Sequence, residues 1–270
     1  MPAYIDIHSH LNFPQFDADR AEAIQRMRDA GIWTITVGTD RATSESAMKL
    51  AEENDGMFAT VGVHPTHEEA MGKDELIALA RSSAKVVAIG ECGLDYYRKD
   101  GTDEAEKKRQ REVFETHIEA AIELGLPLMI HGRAAYGDIY DILASYHREH
   151  GDKVRANMHF FAGSADDARK FLDFGFSLSF DGPITFANSY DEVIRLSPLE
   201  AIMAETDAPF AAPAPFRGRR NEPLYVREVA RRIAEIRNDD PEKVREALVK
   251  NAVRIFGLEA QEGVARPVSI

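Results

Sequence analysis

Two histidines near the start of the chain, His8 and His10, are separated by a single residue. They stand at the end of a β-branched, apolar stretch, so a strand there would direct both imidazole rings to the same side of the sheet. Such a pair can hold one metal ion between its nitrogen atoms. An H-x-H sequence alone is weak evidence, because histidines also serve as ordinary structural residues.

Four further residues strengthen the metal interpretation. Glu91, His131, His159 and Asp207 each stand at or just past the end of a different predicted strand. Each also has an ordinary interpretation: Glu91 as the partner of an arginine, either histidine as a satisfied core residue, and Asp207 as a cap. Ionised glutamate is seldom buried without a partner, and Glu91 lies in an apolar stretch flanked by glycines. Taken together, the six residues favour a metal site.

The candidate ligands are more numerous than one ion needs. Four histidines and two carboxylates exceed one tetrahedral coordination sphere but suit two divalent ions that share a bridging carboxylate. The division we expect is one ion on His8, His10 and Asp207, a second on His131 and His159, and Glu91 as the bridge. Imidazole suits zinc or manganese better than magnesium, and the sequence leaves the choice among the three open.

The elements that must position these residues follow a repeated βα pattern. Short β-branched runs alternate with longer amphipathic stretches, which indicates a parallel sheet covered by helices. The predicted strands are Ala3–His8, Thr34–Gly38, Phe58–Val63, Val86–Glu91, Pro127–His131, Val154–Met158, Gly175–Ser179 and Ala201–Glu205. Eight such strands close an α/β TIM barrel, whose catalytic groups gather at the C-terminal ends of the strands.

Helices are predicted between the strands and after the last one. Their ranges are Asp17–Ala30, Thr43–Asn54, Asp74–Ser82, Thr102–Leu124, Gly137–His150, Ser164–Phe174 and Glu222–Ile236. A final helix has Asp240 as its N-cap and Pro241 in its first turn, and it ends near Gly257. Two long connections, Gly93–Asp103 and Thr206–Pro223, both follow strands and belong to the catalytic face. We expect one barrel domain over residues 1–258 and a frayed tail over 259–270.

Composition narrows the class of protein. The chain has 270 residues, 44% of them hydrophobic, and a net charge of −13. That charge argues against binding along a nucleic-acid duplex through a basic surface, although an enzyme acting on a strand end needs only a few phosphate contacts. Cys92 is the single cysteine, so no internal disulfide is possible. With no apolar run near the roughly 18 residues of a membrane helix and no signal peptide, we expect a cytoplasmic protein.

Several strings of the sequence resemble the successive motifs of the TatD family of metal-dependent deoxyribonucleases. They are Asp6-Ile7-His8-Ser9-His10-Leu11, Gly62-Val63-His64-Pro65, Ile89-Gly90-Glu91-Cys92-Gly93-Leu94-Asp95-Tyr96-Tyr97, Glu205-Thr206-Asp207-Ala208-Pro209, Arg219-Arg220-Asn221-Glu222-Pro223 and Asn251–Phe256. The resemblance implies a TIM-barrel hydrolase with two metal ions at the positions argued above, in many members a nuclease acting on DNA. Departures at Ile7, Phe160, Ala208 and Phe210 leave every proposed ligand in place.

Beyond the ligands, one histidine and several arginines are candidates for binding substrate. His64 would contact the substrate phosphate or the leaving group, with a structural role as the alternative. A guanidinium can bind phosphate through two hydrogen bonds, and the arginines in the catalytic-face loops are Arg98, Arg133, Arg217, Arg219 and Arg220. Arg220 has an alternative role, in which it braces Glu222 and holds the loop. Tyr96, Tyr97 and Phe210 would either stack on an unpaired base or simply pack.

The function we expect is hydrolysis of DNA phosphodiester bonds by an exonuclease that acts on single-stranded DNA or on strand ends. Glu91 and Asp207 are the catalytic candidates, with Asp207 orienting the attacking water and taking its proton. An amide, lactone or aminoacyl ester is the alternative substrate, because the same site would attack a carbonyl carbon. The loop arginines favour phosphate over these alternatives.

Overall fold

The computed structural model describes residues 1–97 and 103–259. Its strands are β1 Tyr4–Ser9, β2 Ile32–Thr36, β3 Met57–Val61, β4 Val86–Asp95, β5 Leu128–Arg133, β6 Ala156–Met158, β7 Ser177–Phe180 and β8 Ile202–Ala204. All eight predicted strands are confirmed in place, with ends that differ by a few residues. The largest difference is β4, which continues past Glu91 to Asp95.

The helices of the described chain lie between the strands and after β8. They are α1 Arg20–Asp29, α2 Arg41–Glu53, α3 Lys73–Arg81, α4 Glu104–Leu124, α5 Tyr136–His150, α6 Ala165–Asp173, α7 Asp191–Leu196, α8 Val226–Arg237 and α9 Pro241–Phe256. The sequence pattern did not predict α7, because six residues are too few to show a helical period. The caps predicted for the last helix are confirmed: Asp240 accepts a hydrogen bond from the Lys243 N–H, and Gly257 ends the helix at φ +63°.

The strands form one parallel sheet in the order β1 to β8, which confirms the predicted TIM barrel. Main-chain contacts between the end of β1 and the segment that follows β8 complete the ring. Ser9 forms an isolated parallel bridge with Ala208, whose carbonyl accepts a hydrogen bond from the His10 N–H at 2.6 Å. The Asp207 N–H donates to the His8 carbonyl at 2.9 Å. The barrel therefore closes at the residues predicted to bind the first ion.

Buried histidine His117 joins α4 to the segment after β3. Its side chain is 0% exposed, its Nε2 accepts a hydrogen bond from the Val63 N–H at 3.0 Å, and its Nδ1 donates to the Val113 carbonyl at 2.7 Å. Both ring nitrogens are satisfied only in the neutral form, and burial lowers the pKa of His117 to about 4. This histidine is structural, and it fixes the loop that carries His64.

We expect His117 to make the stability of the fold depend on pH. The unfolded chain takes up a proton at its ordinary pKa of about 6.5, whereas the native state resists protonation down to about 4. Stability is therefore fully present above pH 6.5 and is lost as the pH falls towards 4, by about 2–3 kcal/mol. The measurement is urea unfolding of metal-free protein at pH 7.5 and pH 4.5, for wild type and His117→Gln.

Glutamine can accept from Val63 and donate to Val113 without titrating, so it serves as the matched variant. The difference in unfolding free energy between wild type and His117→Gln should shrink or reverse as the pH is lowered. Parallel pH profiles for the two proteins would refute a neutral His117.

Candidate metal centre

The six predicted ligands meet at the C-terminal end of the barrel. His8 is the last residue but one of β1, Glu91 lies in β4, His131 lies in β5, and His159 directly follows β6. With the exception of His8, which is fully buried beneath them, they line a cavity of about 570 Å³ together with His64, Arg133, Phe13 and Phe210. The sequence interpretation and the structure therefore place these side chains in one site.

Glu91 is the centre of the cluster, and its two oxygens face different histidines. Oε2 lies 3.5 Å from His8 Nε2 and 3.8 Å from His10 Nε2. Oε1 lies 2.9 Å from His159 Nε2 and 3.1 Å from His131 Nδ1. One carboxylate thus separates two groups of imidazoles, which is the arrangement a bridging ligand requires.

On the Oε2 side, His8, His10 and Asp207 form a group whose ligand atoms all lie within 4.8 Å of one another. His8 Nε2 and His10 Nε2 are 3.2 Å apart, and Asp207 Oδ1 is 3.5 Å from His10 Nε2. Two imidazole nitrogens and a carboxylate directed at one point are chemically suited to zinc or manganese. The donor set therefore fits a divalent cation.

The Oε1 side includes a histidine that was not predicted as a ligand. His64, Glu91 and His131 form a second group with ligand atoms within 4.8 Å, and His64 Nε2 lies 3.5 Å from Glu91 Oε1. The other nitrogen of His64 lies 2.7 Å from the Thr66 hydroxyl. Burial lowers the pKa of His64 to about 4, so the ring is neutral at physiological pH and can act as a ligand or a hydrogen-bond partner.

Charges within the cluster compensate one another. Burial would raise the pKa of Glu91, but His159 and His64 outweigh it and hold that pKa well below its usual value. Burial likewise would lower the pKa of His159, yet Glu91 and Glu205 raise it well above the ordinary value. A buried carboxylate that stays ionised needs positive charge beside it, which bound cations would also provide.

Glycines and an irregular sheet register direct Glu91 into the site. The pairing of β4 with β5 shifts between Ile89 and Cys92, an irregularity of the kind that redirects a side chain. Gly90 and Gly93 have φ values of +147° and +129°, and a Cβ at either would collide with a carbonyl oxygen of β5. Only glycine fits at these two positions.

Asp207 is also held in an unusual conformation. Its φ is +53°, in the left-handed region, which costs of order 1–3 kcal/mol for a residue other than glycine. Hydrogen bonds from the neighbouring Thr206 N–H and hydroxyl to the buried Asp6 carboxylate, at 2.8 and 2.7 Å, fix the preceding backbone. The fold therefore holds Asp207 against its intrinsic preference, as is common at functional sites.

Two carboxylates behind the histidines were not identified from the sequence as part of the site. Asp95 Oδ2 lies 3.2 Å from His131 Nε2, and Glu205 Oε1 lies 3.3 Å from His159 Nδ1. Glu205 also accepts a hydrogen bond from the Ser179 hydroxyl at 2.6 Å. Carboxylates in this position orient a metal-binding imidazole and fix which nitrogen is free. Their positions in the sequence could have identified them, because Asp95 belongs to the same motif as Glu91, and Glu205 to the same motif as Asp207.

A third carboxylate, Asp181, has no such partner. It follows β7, is 0% exposed, and neither oxygen has a hydrogen-bond partner among the described residues. Burial raises the pKa of the Asp181 carboxyl well above its usual value, and Glu205 and Asp207 add to the effect.

The arginines predicted to bind phosphate lie in different environments. Arg133 lines the cavity, and its guanidinium stacks 3.9 Å above the Tyr97 ring. Arg219 is exposed, forms no ion pair with a described residue, and is not part of the cavity lining. Arg98 lies outside the described residues.

Arg220 is engaged in the structure of the loop. Its guanidinium pairs with Asp19 and lies 4.3 Å above the Phe16 ring. The prediction that Arg220 pairs with Glu222 is wrong, because Glu222 pairs with Arg26 instead, with Arg26 Nη2 2.5 Å from Glu222 Oε2. The sequence could not distinguish these pairings, since both acidic residues are brought to the loop by the fold.

Among the described residues, no helix combines the length and the apolar character needed to cross a membrane.

Comparison with known proteins agrees with the geometry. A family model described as TatD related DNase matches residues 5–257. An uncharacterized metal-dependent hydrolase of Bacillus subtilis, YabD, is 42% identical over 256 residues, covering 93% of this chain and 98% of its own. A protein of Pantoea ananatis named 3'-5' ssDNA/RNA exonuclease TatD is 32% identical, covering 94% and 99%. The crystal structure of the TatD homologue YjjV of Escherichia coli superposes with a TM-score of 0.84 at 28% identity, covering 95% and 99%.

Proposed function

Because the chain belongs to the TatD family of metal-dependent hydrolases, we propose that it uses two divalent cations to remove nucleotides from the ends of single-stranded DNA. The observation that carries the proposal is the position of Glu91, whose two oxygens face separate groups of ligands at the base of one cavity. The relative named as an exonuclease for single-stranded DNA and RNA supports a nucleic-acid substrate.

The residues divide into two halves around Glu91. His8, His10 and Asp207 would hold one cation, His131 and His159 the other, and His64 lies close enough to contribute to the second. When bound, the two cations supply Lewis-acid chemistry, acidifying water and neutralising charge that develops on phosphoryl oxygens. Zinc and manganese suit this donor set better than magnesium.

Asp207 is the residue we assign to proton transfer. Its side chain is partly exposed to the cavity, whereas Glu91 is enclosed by histidines. Asp207 Oδ1 therefore can accept a proton from water in the cavity and hold that water in line with the phosphate. Asp95 and Glu205 keep the two histidines behind Glu91 in fixed orientations.

The size of the cavity favours a strand end over the middle of a duplex. A volume of about 570 Å³ is typical of a site for a small molecule and accommodates nucleotide units rather than a double helix. The net charge of −13 also disfavours a long track of phosphate contacts. Both observations support exonucleolytic action.

Arg133 is the arginine placed best to hold a phosphate. We expect Arg133→Ala to raise the KM for a short single-stranded oligonucleotide roughly 10- to 100-fold, the cost of one hydrogen bond to a charged group. It should also make the dependence of log KM on log salt shallower by about 0.7, the contribution of one phosphate on a single strand. Steady-state kinetics over a range of salt concentrations provides both numbers.

Arg219→Ala is the matched variant, because Arg219 is an exposed arginine of the same face that does not line the cavity. A larger effect of Arg219→Ala than of Arg133→Ala would restore the sequence-based expectation that Arg219 binds the phosphate. Equal losses on the oligonucleotide and on a neutral carboxyl ester would show that Arg133 shapes the site instead.

The function itself is tested by a substrate panel. Purified protein reconstituted with zinc, manganese or magnesium would be given single-stranded DNA, duplex DNA, RNA, and neutral carboxyl ester, lactone and amide substrates. We expect stepwise release of mononucleotides from single strands. Turnover of the carbonyl substrates without any cleavage of nucleic acid would overturn the proposal in favour of a carboxyl ester or amide hydrolase.

A further inference from the structure

Exposed aromatic side chains are concentrated on the catalytic face. Apart from the terminal Met1, the large hydrophobic residues that are strongly exposed in the described chain are Tyr97, Phe186 and Phe210, at 62%, 42% and 46%. They follow β4, β7 and β8 respectively. Single exposed apolar residues are common, but three at one end of a barrel indicate a surface that contacts something.

Two of these rings are already covered by a cation. Arg133 stacks over Tyr97 at 3.9 Å, and Arg217 stacks over Phe186 at 3.8 Å. Phe210 has no such cover from any described residue. Its aromatic neighbours are Phe13 and His10, with ring centroids 6.3 and 6.2 Å away. Phe210 thus lines the cavity with no cation from a described residue stacked on its ring.

Phe13 and Phe210 are each tied to a metal-ligand candidate by the same kind of turn. The Phe13 N–H donates to the His10 carbonyl at 2.9 Å, and the Phe210 N–H donates to the Asp207 carbonyl at 2.8 Å. Phe13 also stacks on the His10 ring at 4.4 Å. The planes of the two phenylalanine rings meet at 75°, so together they form an apolar corner with fixed geometry. We call this pair the aromatic corner.

We propose that the aromatic corner is a stacking site for one nucleobase, that of a nucleoside directly attached to the scissile phosphate. The inference rests on the proposed function and adds a binding site to it. A flat, uncharged wall beside His10 and Asp207 suits the face of a base, since aromatic side chains stack on bases of any sequence. Arg133, in β5 on the far side of the barrel from β1, is left to bind phosphate.

This site requires a base that is free of its partner strand. A base inside a duplex has both faces covered by its neighbours, and a base at a duplex end is still paired with the partner strand, so either must be released before it can stack fully on Phe210. The aromatic corner therefore selects unpaired ends, and it does so without selecting sequence. Phe13 would contact the edge of the base while Phe210 stacks on its face.

The test is equilibrium binding of a short single-stranded oligonucleotide to metal-loaded protein. A phosphorothioate replaces the terminal phosphodiester to slow hydrolysis, and 2-aminopurine, whose fluorescence is quenched by stacking, occupies one of the two positions flanking it. We expect Phe210→Ala to weaken binding roughly 5- to 100-fold and to abolish the quenching. Phe210→Trp should retain both, and Phe210→Leu should lose the quenching although it keeps the apolar volume.

Phe186→Ala is the matched control, because Phe186 is exposed to a similar degree on the same face but is not part of the cavity lining. It should bind as wild type does. An oligonucleotide with an abasic site at the stacked position should bind wild type and Phe210→Ala equally. The proposal is supported if removing the base at either flanking position abolishes the difference in affinity between wild type and Phe210→Ala.

Equal binding of normal and abasic oligonucleotides by wild type, or equal effects of Phe210→Ala and Phe186→Ala, would overturn the stacking site alone. Absence of any binding would overturn the stacking site and the proposed function together. Wild type that binds and quenches the oligonucleotide but hydrolyses no phosphodiester would retain the stacking site and refute the nuclease. Cleavage of strand ends at the same rate by wild type and Phe210→Ala would support the nuclease and refute the stacking site.

Discussion

We expect the substitution Asp207→Asn to lower turnover by about 10²–10⁴-fold, the range typical of losing a general base. The amide keeps the shape of the side chain and one oxygen, so it can still face His8 and His10 at 3.8 and 3.5 Å. It cannot take a proton from water. The measurement is the kcat of Asp207→Asn on a single-stranded oligonucleotide at saturating metal.

Metal content provides the control for this variant. Because asparagine retains an oxygen ligand, Asp207→Asn should bind two ions per chain when metal is in excess, and the loss should lie in kcat with little change in KM. Turnover close to that of wild type with two ions bound would assign proton transfer to another group. A loss that is restored by adding more metal would make Asp207 a ligand alone.

We expect the substitution Glu91→Gln to lower metal affinity more than any other change in the cluster. Removing an outer carboxylate partner of a ligand typically costs 10–100-fold in metal affinity, and a residue that bridges both ions should cost more than that. Glu91→Gln also removes the negative charge that faces His8, His10, His131 and His159. We expect it to bind fewer than two ions per chain and to have no measurable turnover.

Glu205→Gln is the comparison for Glu91→Gln. Glu205 is a buried glutamate of the same end of the barrel that contacts His159 from behind, at 3.3 Å from its Nδ1. Its replacement should lower metal affinity about 10–100-fold and leave two ions bound at saturation. If Glu91→Gln binds two ions as tightly as Glu205→Gln does, Glu91 is not a bridge.

The barrel could be predicted from sequence because its strands combine β-branched, apolar runs with regular spacing. Errors arose where local pattern and tertiary contacts diverge. The sequence predicts a connection over Gly93–Asp103, but its first residues, 93–95, pair with β5 and extend β4 to Asp95. This extension brings Asp95 behind His131, a contact that no local pattern shows.

The candidate ligands could be found from the sequence for a simple reason. Imidazoles and carboxylates at the C-terminal ends of parallel strands must share one end of a barrel, whatever the details of the loops. The loop arginines have no such constraint. Arg220 pairs with Asp19, which lies 201 positions away in the sequence, and Arg133 stacks on Tyr97. These contacts depend on the folded chain, so the sequence pattern could not predict them.

Anomalous diffraction from crystals of the protein loaded with zinc or manganese tests directly whether Glu91 bridges two ions. We expect two peaks at the base of the cavity, roughly 3.5–4 Å apart as in other two-metal sites. One should lie near Glu91 Oε2, His8, His10 and Asp207, and the other near Glu91 Oε1, His131 and His159. A single peak at saturating metal, or two peaks of which neither is bound by Glu91, would contradict a bridging Glu91.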